Sequence, residues 1–140
     1  IRLSLVGSEM CIRDSVWLGR IPANGEQGSF KAIVDLCAEL PINPQGRAYE
    51  CVPVLDLIAP SPAECQQAAE AIERLRSNGP LLVCCALGYS RSATAAAAWL
   101  LHSGRAATVD EALAIIRTAR AEVVLHPAHR KALEGLPHAR

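Results

Sequence analysis

The 140 residues read as one α/β domain, a small and mostly parallel central sheet of about four to five strands flanked by helices. Short apolar runs, "AIVDL", "YECVPV" and "LLVCC", are set off by clusters of Gly, Pro and Asn, as strands are. Two later segments begin with a hydroxyl residue followed three positions on by Glu, then repeat apolar residues at helical spacing. The length suits a single core, and 51% hydrophobic with 20% charged residues is a globular composition.

Along the chain, "LSLVGSEMCIRDS", Leu3 to Ser15, resembles a translated sequencing-adaptor fragment that recurs in front of unrelated metagenomic reading frames, and the chain opens on Ile1 rather than Met. Residues 1–15 are therefore expected to be a non-native scar and residues 16–140 the domain. "SVWLGRIP" predicts a strand running into a turn, and "ANGEQGS" a loop. Ala32 to Leu36 predicts a buried strand, ended by "PINPQGR". "YECVPVLD" predicts another, with Pro53 marking an edge or a strand end. Ser61 as cap, Pro62 at the first helical position and Glu64 predict a helix to about Ser77, with Ala68, Ala69, Ile72 and Leu75 on its apolar face. "LLVCC" is apolar throughout and predicts a central strand covered on both faces. Ser92 to His102, a segment capped by Thr108 with Glu111, and "HPAHRKALEGL" predict three further helices.

Formal net charge is zero and no block of one sign occurs, which gives no reason to expect a nucleic-acid partner or a membrane surface. The apolar stretch from Leu81 to Leu101 is interrupted by "GYSRS", so no spanning helix is expected. Six cysteines sit mostly inside apolar segments, without paired zinc spacing, as in a reduced cytoplasmic protein. A monomer without metal or cofactor is expected. Trp17 and Trp99 read as core, Asp35 as a hydrogen-bonded carboxylate in or beside a buried strand, His102, His126 and His129 as surface or helix-end residues, and Arg130 as solvated charge.

The chemistry concentrates in "LLVCCALGYSRSA", Leu81 to Ala93. A loop from a strand end to a helix start turns several backbone N–H groups inward, and the helix dipole adds positive potential. Gly88 frees the backbone there, and Arg91 can hold two phosphate oxygens bidentately. Cys85, at the loop's entrance, feels the same amides and guanidinium, which favour thiolate. A thiolate beneath a cradled phosphate is set for in-line attack, and Ser92 can donate its hydroxyl to the sulfur.

"VCCALGYSRSATAAAAWLL" resembles the signature of the cysteine-dependent dual-specificity phosphatases, which are protein-tyrosine-phosphatase-like: His-Cys, five residues, Arg, then Ser or Thr. "AIVDLCAEL" and "TVDEALAIIRTAR" are similar to that family's early strand and later helix, so the likeness covers Val16 to Leu136. It implies a metal-independent phosphomonoester hydrolase working through a phosphocysteine, on phosphotyrosine, phosphoserine or phosphothreonine proteins or a small phosphomonoester. Cys85 would be nucleophile, Arg91 the clamp, Ser92 the thiolate partner, and Ala86, Leu87, Gly88, Tyr89, Ser90 and Arg91 the phosphate cradle. Asp56, closing "YECVPVLD", falls where the family carries its general acid. The chain departs at Cys84, where the family has His, and strand alternation turns Cys84 away if Cys85 faces the phosphate. Two other readings stay open: a rhodanese-like or arsenate-reductase-like thiol enzyme, and a phosphate-binding pseudophosphatase module.

Overall fold

The computed structural model describes residues 10–13, 16–20, 31–37, 48–54, 61–85, 90–119, 125 and 127–136. Its strands are β1 (Met10–Arg13), β2 (Val16–Arg20), β3 (Ala32–Cys37), β4 (Ala48–Val54) and β5 (Leu81–Cys85). Its helices are α1 (Pro62–Leu75), α2 (Ser90–His102), α3 (Val109–Ala119) and α4 (Pro127–Glu134), with a short 3-10 turn at Arg76–Asn78. The sheet runs β1-β2-β5-β3-β4; β1 is antiparallel to β2 and every other pairing is parallel. Pro53 accordingly lies on an edge strand, where proline is tolerated because only alternate N–H groups face a neighbour.

Local chemistry accounts for these elements. The Ser61 hydroxyl accepts from the Glu64 amide at 3.1 Å while the Glu64 carboxylate accepts from the Ser61 amide at 2.9 Å, starting α1 with two end donors satisfied. Cys65, Ala68, Ala69 and Ile72 then fall on one stripe, which the core buries. At α3 the reciprocity is shifted: the Glu111 amide donates to the Thr108 hydroxyl, but the Glu111 carboxylate accepts from Ala107 rather than from the cap residue. Gly79, with φ of 129°, makes the turn into β5, and Lys31 donates its amide to the Pro80 carbonyl there.

Alternation sorts the sheet into two faces. Val16, Leu18, Ala32, Val34, Leu36, Val52, Leu81 and Val83 join the helices in the main core. Ile33, Leu82 and Cys84 form a smaller cluster on the opposite face, with Trp17 and Tyr49 packed against it. Four consecutive side chains of β5, Leu81 to Cys84, are fully buried, as its apolar run predicts. α2 is buried from Arg91 to Leu101, lying against α1, α3 and α4 with the sheet behind it. Among the described residues no helix is long and apolar enough to cross a membrane.

β1 lies within the segment expected to be a scar, paired to β2 with Ile12 at 9% exposure. Trp17, expected in the core, is half-buried, whereas Trp99 is fully buried. His129 is a correction: it is 7% exposed, because α4 turns it inward with Ala132 and Leu133. Arg130 joins α4 to α3 through Asp110 at 2.7 Å and also pairs with Glu134 at 3.0 Å, so its charge is partnered rather than merely solvated.

Candidate active site

β5 is the middle strand of the sheet and ends on Cys85; α2 begins at Ser90. The chain thus passes from the carboxyl end of a central parallel strand to a helix start, the place where open α/β sheets gather ligands. Ala86, Leu87, Gly88 and Tyr89 lie outside the described residues, as does Asp56. Cys85 is level in register with Arg20 of β2. The helix starts two residues earlier than the expected Ser92, which brings Ser90, Arg91 and Ser92 together into its first turn.

That turn is chemically unusual. Arg91 is 2% exposed, and Ser92 and Thr94 are fully buried. Amides of a first helical turn lack partners in their own helix and present positive potential. α1 balances its start with Glu64, and α3 with Asp110 and Glu111, but α2 has no acid in its first turn. A buried guanidinium beside a helix N-terminus puts two sources of positive potential at one place, the kind of setting in which anions are held.

On the far face of the sheet, behind the end of β5, lies a second polar group. Asp35 is fully buried and accepts at 2.7 Å from the Tyr49 hydroxyl. Burial first, then the hydrogen bond to Asp35 and that carboxyl's charge, hold the Tyr49 hydroxyl above its ordinary value. Asp35 is level with Cys51 on β4 and with Cys84 on β5. Cys84 is fully buried in the Ile33–Leu82 cluster and forms no disulfide. Asp35 is therefore the buried, hydrogen-bonded carboxylate that the sequence suggests. Its partner Tyr49 was not anticipated, although equal parity on two neighbouring strands is a signal that could have found it.

A profile of the dual specificity phosphatase catalytic domain matches residues 16–135. No curated protein matches in sequence. Among solved structures, the crystal structure of Tk-PTP in its active form is similar at 29% identity and a TM-score of 0.79, with 91% of this chain and 94% of that one covered. Human DUSP28 is similar at 26% identity and a TM-score of 0.76, with 90% of each chain covered. PTPMT1 in complex with PI(5)P, at 19% identity and a TM-score of 0.76 over 90% of this chain and 92% of that one, shares the fold.

Proposed function

The chain belongs to the dual specificity phosphatase family and is a phosphatase of the protein-tyrosine-phosphatase type, and on that premise we propose that it hydrolyses phosphotyrosine, phosphoserine or phosphothreonine proteins through a phosphocysteine intermediate. The observation that carries this reading is the burial of Arg91 and Ser92 in the first turn of α2, directly after the central strand that ends on Cys85.

The Cys85 thiolate attacks phosphorus in line with the leaving oxygen. As the phosphorus–oxygen bond breaks, Asp56 gives its proton to that oxygen, which then leaves as a neutral alcohol or phenol. Arg91 holds two non-bridging oxygens with its fork, and the amides of Ala86 to Arg91 meet the negative charge that develops on them. In the second step Asp56, now ionised, takes a proton from water. The hydroxide attacks phosphorus, inorganic phosphate leaves, and sulfur recovers its electron pair, steadied by the Ser92 hydroxyl. Arg91 and the amides supply the positive charge in this scheme, so no step calls on a metal. The proposed chemistry needs Cys85 reduced, which suits a reducing, cytoplasmic setting, and a monomer suffices for every step.

The test is hydrolysis of an aryl phosphate in chelator by the parent, Cys85→Ser and Asp56→Asn. Loss of turnover in Cys85→Ser is expected, with a fall of roughly 10²–10⁴-fold in Asp56→Asn. Full activity of Cys85→Ser, or a requirement for metal, overturns the proposal. Turnover of thiosulfate in place of phosphate release would instead select sulfur transfer, which needs no general acid.

A further inference from the structure

Among the described residues the mechanism leaves Asp35, a fully buried carboxyl group, unused. Register aligns Gly19, Cys84, Asp35 and Cys51 in a single row across β2, β5, β3 and β4. That row lies one residue short of Cys85, at the carboxyl end of the sheet and on the face away from the main core. Beneath it the neighbouring row holds Ile33 and Leu82, both fully buried, and Tyr49, whose hydroxyl reaches up to Asp35 Oδ2 at 2.7 Å.

A carboxyl group is a costly choice for stability alone at this place. Taking it out of water is costly, and a well-packed apolar residue at such a place is often neutral or stabilising. What the position offers is proximity. Adjacent strands lie about 4.8 Å apart, so Asp35 stands beside Cys84, the residue that precedes the proposed nucleophile. At position 84 the family signature has a histidine, a two-nitrogen ring able to hold backbone groups. Here a small thiol with one weak donor stands instead. The polar group behind the strand end is then supplied from β3.

Resting on the function proposed above, we infer that Asp35 is a positioning residue: fixed by Tyr49, it holds the last residues of β5 and so aims Cys85 at the phosphate. The Tyr49 ring, packed against the Ile33–Leu82–Cys84 cluster, prevents the carboxyl from swinging away.

The experiment compares full-length Asp35→Leu, Asp35→Asn and Tyr49→Phe with the parent. It reads the thermal midpoint, kcat and KM on p-nitrophenyl phosphate, and the rate at which iodoacetate alkylates Cys85, followed by mass spectrometry. Asp35→Leu is expected to melt no more than a few degrees below the parent. Its kcat falls about 10–100-fold, the effect of a misplaced reacting group, with KM within about threefold and alkylation about tenfold slower. Asp35→Asn keeps an acceptor in the same place and recovers most of that loss, while Tyr49→Phe lowers kcat several-fold. A folded Asp35→Leu whose kcat and alkylation rate stay within about twofold of the parent overturns the inference, as does a loss carried by KM alone. Should Asp35→Leu fail to fold, Tyr49→Phe decides: an unchanged kcat and alkylation rate overturn it. Absence of turnover in the parent would sink the phosphatase mechanism, yet the alkylation comparison would still show whether Asp35 governs Cys85.

Discussion

Arg91 carries a permanent charge at 2% exposure, and its surroundings at the head of α2 add potential of the same sign. Arg91→Lys keeps the charge but loses the planar fork, so under the proposed mechanism a phosphate held at two oxygens would be met by one point donor. Steady-state kinetics are expected to show kcat lower by roughly 10²–10³-fold, the size of effect seen when one preorganised donor is removed. Cys65 is the opposite kind of cysteine: burial first, then the charge of Glu64, pushes its thiol up to about 12. Mass spectrometry after iodoacetamide at pH 8 should find Cys65 unmodified in the folded chain and labelled once it unfolds. Residue types and local spacing nominate Cys85, Arg91 and Ser92, and of that reading the described residues show the strand that ends on Cys85 and the helix that opens at Ser90. Spacing within one strand does not reveal that Tyr49 meets Asp35; parity matches the two residues only once β4 is set beside β3. The inward turn of His129 was hidden for the same reason, in a helix whose local composition is polar.

Among the elements, α1 owes its start to a complete capping box. Ser61→Ala should lower stability by about 1 kcal/mol, read as a drop in the thermal midpoint. The turn into β5 depends on Gly79: a Cβ there would lie 2.8 Å from Lys31 Cγ, on a backbone with φ of +129°. Gly79→Ala is therefore expected to destabilise by about 1 kcal/mol or more. The strands were readable because each is a short apolar run closed by turn residues, and α1 because its cap and stripe coincide. β1 was not, because its four residues lie in a stretch whose likeness to an adaptor overrode their pattern. We expect a chain beginning at Val16 to fold and to keep the turnover proposed for Cys85. It would lose only the shelter that β1 gives the edge of β2, checked by thermal melts and by kcat.

Across the whole molecule, Glu73 of α1 joins three parts of the helical layer. It accepts from Trp99 Nε1 of α2 at 2.9 Å and from Arg76 Nε and Nη2 at 3.0 and 3.1 Å, and has Arg105 at 3.9 Å. The Arg76 hydrogen bonds foremost, opposed by burial and aided by Trp99 and the two arginine charges, hold its carboxyl below the usual range. A depressed carboxylate stabilises the fold above its unfolded value near 4.5 and loses that contribution as pH falls through the lower folded value. Cys65 and Tyr49 work in the other direction. Both are raised, so their contributions are complete below the ordinary values of 9.0 and 10.0 and decline as pH climbs beyond them. These three groups give the thermal midpoint no slope between about pH 5 and pH 9 and lower it on both sides, with Glu73→Gln blunting the acid limb and Cys65→Ala the alkaline one. The chain's two tryptophans, finally, stand on opposite sides of the sheet: Trp99 beneath the Arg105 guanidinium at 4.7 Å in the helical layer, and Trp17 beside Ile33, Leu82 and Cys84. Each is a built-in fluorophore for one layer. With Trp17→Phe the emission follows the helices alone, and with Trp99→Phe it follows the face that holds Asp35, so if one layer loosens first the two melting curves will separate.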